Sequence, residues 1–193
     1  MKYQLAIFAS GSGTNTETIT RYFENHDSIS VKCILCNNPK ALVLERANRL
    51  GIPSMVFTRA EFYSNESVVS FLQERAISHI VLAGFLWLIP APLLSAFTNR
   101  IINIHPALLP LHGGKGMYGM KVHEAVRLAG DKETGITIHE VNEKYDEGRT
   151  LFQARVEVSS NDSAETIATK VHELEYKHYP QVIEKWVLNK LKD

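Results

Sequence analysis

The chain begins with a strand-like run that leads into a glycine-rich turn, Gln4-Leu5-Ala6-Ile7-Phe8-Ala9-Ser10-Gly11-Ser12-Gly13-Thr14-Asn15. The apolar run predicts a buried strand at 4–9, and a helical pattern begins at Asn15. A glycine-rich turn before a helix presents backbone N–H groups and the positive end of the helix dipole. This segment therefore predicts the first βα unit of an α/β sheet and a candidate phosphate site.

The turn differs from two common nucleotide-binding motifs. Thr16 stands where the third glycine of the dinucleotide fingerprint belongs, and no Gly-Lys-Ser/Thr follows for a Walker A loop. The turn therefore suits a single phosphomonoester. From the motif alone, a phosphate site and a tight turn without a ligand are equally open.

Strand and helix patterns alternate beyond this unit. Strands are predicted at 4–9, 31–36, 54–57, 79–83, 101–104, 135–140 and 151–157. Helices are predicted at 15–25, 41–50, 66–76, 120–129 and 164–188, the last with a bend expected at Pro180. The alternation predicts a Rossmann-like, open α/β sheet that is mostly parallel, with helices on both faces. We expect one domain over 1–193, with a phosphate-binding half (about 1–100) and a catalytic half (about 101–193).

Composition excludes several classes of protein. The 193 residues include 21 basic and 21 acidic side chains and 45% hydrophobic residues, which is typical of a globular protein and unlike a nucleic-acid binder. The uncharged stretch 80–97 is interrupted by Gly84 and Pro90, so we expect a buried strand, a loop and a short helix there rather than a membrane span. No secretory signal pattern is visible, and a cytoplasmic protein is expected.

The cysteines and histidines do not predict a metal site. Cys33 and Cys36 are three apart on a predicted strand and point to opposite faces, so we expect buried thiols of a cytosolic protein. The histidines lack the spacing of common zinc motifs, and we expect no metal.

Two polar clusters can support acid–base chemistry. Asn103 and His105 are two apart at the end of a predicted strand, so they face the same side of the sheet. An amide donor beside an imidazole can stabilise an oxyanion and move a proton. In the turn 145–148, which contains Asp146 and Glu147, a carboxylate could approach His105 and raise its pKa. Taken alone, either cluster is also compatible with a structural role.

Five segments together resemble the folate-dependent glycinamide ribonucleotide formyltransferase family. They are Ser10–Asn15, Ala83–Leu86, Asn103–Pro110, Gly135–His139 and Asp146–Gly148. Methionyl-tRNA formyltransferase and formyltetrahydrofolate hydrolase are similar in this core, but each carries a further domain. We expect that a chain of 193 residues is too short to include either further domain.

The resemblance implies transfer of a formyl group from 10-formyltetrahydrofolate to the amine of 5-phosphoribosylglycinamide in de novo purine biosynthesis. Asn103, His105 and Asp146 would be catalytic, with protonated His105 as general acid and oxyanion stabiliser and no metal. The residues implied at the ribonucleotide are Gly13, Thr14, Asn15, Leu86, His172 and Glu175. Those implied at the folate are Leu86, Trp87, Leu88, Ile89, Asn103, Asn142, Glu143, Lys144, Tyr145 and Asp146. Without the resemblance, Glu175 would be interpreted as a solvated helix charge.

Some positions depart from the family pattern. Trp87 occupies a position at which the family commonly has an arginine, and that arginine can contact the glutamate tail of folate. Leu111 occupies a position at which a basic residue is frequent. The glycine-rich segment 113–119 suggests a mobile flap, in which Lys115 is either an anion contact or a solvated charge. Two other functions are open: transfer to an amino-sugar nucleotide, and a nucleotide- or folate-binding module without turnover. Small-molecule partners are expected, as a monomer or a homodimer, without nucleic acid or membrane.

Overall fold

A computed structural model describes residues 2–64 and 66–191 of the chain. The described strands are β1 (Tyr3–Ala9), β2 (Ile29–Cys36), β3 (Ser54–Val56), β4 (His79–Leu82), β5 (Ile101–His105), β6 (Glu133–Glu140) and β7 (Thr150–Glu157). The described helices are α1 (Thr14–Tyr22), α2 (Leu42–Arg49), α3 (Arg59–Tyr63), α4 (Ser67–Glu74), α5 (Ala91–Ala96), α6 (Met120–Ala129) and α7 (Ala164–Val187). None of these helices is long and apolar enough to span a membrane.

The strands form a sheet in the order β3-β2-β1-β4-β5-β6-β7. β1 pairs in parallel with β2 and β4, β2 pairs in parallel with β3, and β7 runs antiparallel to β6. The predicted open, mostly parallel α/β sheet is therefore confirmed. The strand order reverses between β1 and β4. Ligands of open α/β sheets bind beyond the carboxyl ends of the strands at such a reversal.

The chain divides into two compact units, of which the first ends at Ile102 and the second begins at Asn103. This boundary lies close to the division that was expected near residue 100, and it falls within β5. The expectation of one domain over 1–193 stays a prediction.

The core of the first unit lies around β1, β2 and β4. Leu5, Ile7 and Phe8 of β1 are fully buried, as expected for a strand with neighbours on both edges. Cys33 and Cys36 of β2 are buried free thiols, which confirms the prediction of buried thiols. A rigid scaffold therefore supports the loops that follow β1 and β4.

In the second unit, α7 packs against β6, β7 and α6. Ser163 caps its N-terminus by accepting a hydrogen bond from the Thr166 N–H. Ile167 and Val171 are four residues apart on one face and fully buried, which is the spacing of an amphipathic helix. Pro180 lies inside the helix and is also buried.

The structure differs from the predicted elements at a few helices. The short helix α3 was not predicted; it begins with a capping box in which Thr58 and Glu61 exchange hydrogen bonds. Five residues are too few to show a helical period. α1 ends at Tyr22 rather than at residue 25. The expected short helix in the stretch 80–97 is α5.

Candidate active site

β5 supplies two of the predicted catalytic side chains. Asn103 and His105 lie two apart on this strand, so both side chains project from the same face. His105 is only 3% exposed, whereas Asn103 is half-buried. The strand therefore presents an amide and a buried imidazole side by side at its carboxyl end.

Asp146 lies between β6 and β7 and meets His105. Its Oδ2 is 3.5 Å from His105 Nδ1 and accepts a hydrogen bond from the Gly114 N–H at 2.9 Å. Asp146 has a φ of +57°, an uncommon conformation that aspartate tolerates better than most residues. The structure thus brings together His105 and Asp146, which are distant in the sequence.

His139 is a further member of this cluster that was not among the predicted site residues. Its Nδ1 lies 2.8 Å from the Glu140 carbonyl oxygen, which can only accept, so Nδ1 carries the hydrogen when the ring is neutral. Its Nε2 then accepts from Asn103 Nδ2 at 3.1 Å and lies 3.5 Å from Asp146 Oδ1. His139 therefore orients the Asn103 amide. The sequence feature that could have indicated His139 as a site residue is its position at the carboxyl end of an apolar predicted strand.

The segment after His105 is held by the hydroxyl of Thr137. Thr137 Oγ1 donates to the Ala107 carbonyl oxygen at 2.7 Å and accepts from the Leu109 N–H at 3.0 Å. Gln153 Nε2 donates to the same hydroxyl at 2.9 Å and to the Leu109 carbonyl at 3.0 Å. These bonds satisfy a buried hydroxyl and fix the chain that leaves β5.

The pKa of His105 lies below its ordinary value. Burial lowers it, while the Asp146 carboxylate and the hydrogen bond to the His112 carbonyl raise it by less. Asp146 therefore acts on the pKa of His105 in the predicted direction, although burial has the larger effect. The resting imidazole is mainly neutral at neutral pH.

Asp146 remains a carboxylate in this setting. Burial by itself would raise its pKa, but His139, His105 and the Gly114 N–H together lower it below the ordinary value. A partly buried carboxylate keeps its charge when a hydrogen bond and neighbouring groups offset the effect of burial. The pair thus consists of an ionised Asp146 and a neutral His105, which can gain a proton beside the negative charge.

In the first unit, the predicted phosphate turn follows β1. Gly13 is the N-cap of α1 with a φ of +75°, in the left-handed region where glycine is favoured. A Cβ at Gly13 would lie 2.5 Å from Val43 Cγ2. Thr14 and Asn15 begin α1, and the first N–H groups of a helix have no partners within the helix. The turn therefore leads into a helix N-terminus, whose N–H groups and dipole favour an anion.

An arginine that was not predicted supports this turn. Arg46 Nε donates to the Ser12 carbonyl oxygen at 2.8 Å, and its guanidinium also pairs with Glu17. Glu17 further binds Arg21 and Arg49, at 2.9 and 2.7 Å. The hydrogen bonds from Arg21 and Arg46 hold the pKa of Glu17 at about 2. Because α2 is distant in sequence, only the fold shows this contact.

The loop after β4 is tied to the same turn. The Ser10 N–H donates to the Gly84 carbonyl at 3.0 Å, and Ser10 Oγ accepts from the Leu86 N–H at 3.1 Å. The Leu86 side chain is 43% exposed. The Leu88 carbonyl accepts from Tyr63 Oη at 2.9 Å. The loops after β1 and β4 therefore form one hydrogen-bonded structure at the reversal of strand order.

Trp87 belongs to an aromatic cluster rather than standing free in solvent. Its ring centroid lies within 6.3 Å of those of Phe57, Phe62 and Phe85. The Arg59 guanidinium lies over it, 5.6 Å from the ring centroid. The two residues that follow Trp87 complete the predicted folate loop: Leu88 is half-buried and Ile89 is buried.

α7 carries the remaining residues that were assigned to the ribonucleotide. Glu175 is only 6% exposed, so the interpretation as a solvated helix charge is wrong. Burial raises the pKa of its neighbour Tyr179, and the Glu175 charge adds to this effect. His172 is exposed, with its ring 6.2 Å from that of His123 and stacked on Tyr176.

The loop 142–146 is exposed over its first residues. Asn142, Glu143 and Lys144 are exposed, whereas Tyr145 and Asp146 are half-buried. Asn142 Oδ1 accepts from the Lys144 N–H at 2.9 Å. Within residues 2–64 and 66–191, no group of three His, Cys, Asp or Glu residues is arranged to hold a metal ion.

Comparisons with known proteins agree with this architecture. The sequence model of the family described as "Formyl transferase" matches residues 3–183. A phosphoribosylglycinamide formyltransferase from Bacillus subtilis is 38% identical over 93% of this chain and 92% of its own length. A chloroplastic protein of the same name from Arabidopsis thaliana is 42% identical over 93% of this chain, which spans only 64% of the plant protein.

A solved structure gives the same result for the fold. The phosphoribosylglycinamide formyltransferase from Anaplasma phagocytophilum superimposes with a TM-score of 0.90 at 31% identity, covering 100% of this chain and 90% of that one. The strand order, the match over residues 3–183 and these relatives lead to one conclusion: the chain belongs to the formyl transferase family.

Proposed function

We propose that this chain transfers the formyl group of 10-formyltetrahydrofolate to the amine of 5-phosphoribosylglycinamide, as a step of purine biosynthesis. The observation that carries the proposal is the cluster of Asn103, His105 and Asp146, in which a neutral imidazole lies 3.5 Å from a carboxylate and beside an amide. The names of the similar proteins support the choice of substrates. Both substrates are small molecules.

The hydrogen bonds of His105 indicate which nitrogen exchanges the proton. His105 Nε2 lies 2.8 Å from the His112 carbonyl oxygen, which can only accept, so Nε2 carries the hydrogen of the neutral ring. Nδ1 then has the lone pair and faces Asp146. Nδ1 is the nitrogen that can take a proton, and the carboxylate stabilises the resulting imidazolium.

The reaction proceeds through a tetrahedral intermediate. The amine nitrogen attacks the formyl carbon, and the carbonyl electrons move to the oxygen, where an N–H of Asn103 stabilises the negative charge. His105 Nδ1 takes the proton that the amine loses and delivers it to N10 of the folate as the C–N10 bond breaks. One well-placed oxyanion donor contributes about 3–4 kcal/mol in such sites.

The first unit would hold the ribonucleotide by its phosphate. In this proposal the backbone N–H groups of Gly13, Thr14 and Asn15 receive the phosphate, and the dipole of α1 favours its charge. The Arg46 hydrogen bond to Ser12 supports the shape of the turn. In the second unit, His172 and Glu175 would contact the ribose; burial of Glu175 suits a carboxylate that accepts hydrogen bonds from hydroxyl groups.

The folate would contact the loops 86–89 and 142–146. Exposed Leu86 offers an apolar surface to the pterin, and the backbone of the loop offers hydrogen-bonding groups. Because Ile89 is buried, its side chain would shape this loop rather than touch the pterin. Trp87 would pack against the aminobenzoyl part of the folate.

The test is an absorbance assay of deformylated folate release with both substrates. Asp146→Asn keeps the size of the side chain but removes its charge, and should lower kcat by about a thousandfold or more. Glu147→Gln is the matched control, since Glu147 is the adjacent exposed carboxylate and pairs only with Lys144 among the described residues. It should retain nearly full activity.

Three results would overturn the proposal. Release of folate without the ribonucleotide would indicate a hydrolase. Release only with an amino-sugar nucleotide would identify another acceptor. Folate binding without any turnover would indicate a binding module. Near-normal activity of His105→Ala would reject the assigned site even if the transfer reaction were present.

A further inference from the structure

The segment His112–Gly114 contacts both members of the catalytic pair through its backbone. The His112 carbonyl oxygen accepts from His105 Nε2 at 2.8 Å, and the Gly114 N–H donates to Asp146 Oδ2 at 2.9 Å. Between them, a Cβ at Gly113 would lie 2.5 Å from Leu109 Cδ2 and 3.4 Å from Asp146 Cβ. Three consecutive residues therefore fit tightly around the reacting side chains.

The side chain of His112 connects this segment to the far end of α6. His112 Nε2 lies 2.5 Å from Asp131 Oδ2, and Asp131 lies between α6 and β6. Both side chains are largely shielded, at 17% and 29% exposure. His112 also has a φ of +53°, an uncommon conformation for a residue with a side chain, so its carbonyl needs interactions that hold it in place.

We propose that the His112–Asp131 pair is a positioning pair that fixes the working tautomer of His105 by holding the His112 carbonyl against its Nε2. The carbonyl keeps the hydrogen on Nε2 and thereby leaves Nδ1, beside Asp146, as the nitrogen that exchanges protons. The role of Nδ1 in catalysis rests on the proposed function, whereas the tautomer can be measured without any substrate.

The segment beyond His112 explains why such a pair is needed. Gly114, Gly116 and Gly119 all have positive φ values, and Lys115 and Gly116 are exposed. A glycine-rich stretch has many accessible backbone conformations, and these are not restricted by side-chain packing. The contact between His112 and Asp131 therefore fixes the residue that precedes this permissive stretch.

Several titratable groups face His105 and must be considered in any pH profile. The Asp146 carboxylate raises the pKa of His105, as does the hydrogen bond to the His112 carbonyl, whereas charges on His139 and His112 lower it. His123 of α6 also interacts electrostatically with His105. Loss of the carbonyl contact should therefore lower the His105 pKa, while the other groups stay in place.

The direct test uses histidine labelled with ¹⁵N, observed by NMR in the substrate-free protein at mildly alkaline pH. The His105 signals are identified by their loss in His105→Gln. The unmodified chain should show His105 with hydrogen on Nε2. Asp131→Ala and His112→Ala, which keeps the carbonyl but loses the imidazole, should both show a mixture of tautomers. Glu133→Ala is the matched control, because Glu133 is an exposed carboxylate that pairs with Arg155.

Kinetics then separate positioning from substrate binding. Asp131→Ala should lower kcat by about ten- to a hundredfold with little change in KM, as expected for a displaced catalytic group. The apparent pKa in its kcat profile should be lower than that of Glu133→Ala. The double variant of His112 and Asp131 should be no worse than either single variant.

A single Nε2–H tautomer in a folded Asp131→Ala protein would overturn the proposal. Unchanged kcat in that variant would do so as well. If the transfer reaction itself were absent, the proposed function would fail, yet the NMR comparison would still decide whether this pair sets the tautomer of His105.

Discussion

Replacement of Gly13 by alanine tests whether the phosphate turn is as tightly built as the structure shows. The added Cβ would lie 2.5 Å from Val43 Cγ2, 2.6 Å from Val43 Cβ and 2.9 Å from Val43 Cα. Rotation of the Val43 side chain cannot relieve contacts with its Cβ and Cα. The Val43 N–H also donates to the Gly11 carbonyl at 3.1 Å, so α2 cannot move away without losing that bond.

Two costs add up at this position. An L residue at a φ of +75° loses about 1–2 kcal/mol relative to glycine. Overpacking against the Val43 backbone costs about 1–3 kcal/mol. Alanine also reduces the conformational freedom of the unfolded chain, which offsets about 0.4–1 kcal/mol of these costs. We therefore expect Gly13→Ala to lower the free energy of unfolding by about 1–5 kcal/mol, more than Gly51→Ala does, and to weaken ribonucleotide binding.

Two matched glycines separate these costs in urea unfolding. Gly51 has a φ of +66° but open space around its Cβ position, so Gly51→Ala should cost only about 1 kcal/mol. Gly11 has open space and no positive φ, so Gly11→Ala should change stability by less than about 0.5 kcal/mol. If Gly13→Ala and Gly51→Ala lost equal stability, the contact with Val43 would carry no cost and the reasoning would be refuted.

Three further predictions concern the rest of the chain. Ser163→Ala removes the hydrogen bond to the Thr166 N–H and should lower the free energy of unfolding by about 1 kcal/mol in urea titrations. Burial lowers the pKa of His123 from 6.5 to about 4, so the unfolded chain binds a proton that the folded chain does not. Stability should therefore fall as pH decreases from about 6.5 to 4, by up to about 1.4 kcal/mol per pH unit, and His123→Gln should reduce this slope. Burial raises the pKa of Cys33 to about 11 and also raises that of Cys36, so a thiol reagent should label both only after unfolding; rapid labelling of the native protein would contradict this.

Features with a local cause were predictable from the sequence. The unit of β1, glycine-rich turn and α1 follows from an apolar run, two glycines and a helical pattern. Asn103 and His105 share a face because residues two apart on any strand do so. Asp146 was connected to His105 through the family resemblance, and the fold places the two side chains 3.5 Å apart.

Features that depend on long-range packing were not predictable from the sequence. His139 of β6 contacts Asn103 of β5, although the two residues are far apart in the sequence. Arg46 of α2 donates a hydrogen bond to Ser12 in the turn before α1. The sequence indicated that a carboxylate raises the pKa of His105, but it did not show how much water is removed from the ring, and this burial lowers the pKa by more.

The sequence by itself therefore determined the alternation of strands and helices, the type of the first turn and the chemical groups at the end of β5. Periods of two and of three to four residues are local properties of the backbone, and they can be recognised in any stretch of sequence. Only the tertiary structure decided which nitrogen of His105 faces Asp146 and which residues hold the His112 carbonyl in place. Those features depend on burial and on contacts between residues far apart in the chain, which are formed only when the chain is packed.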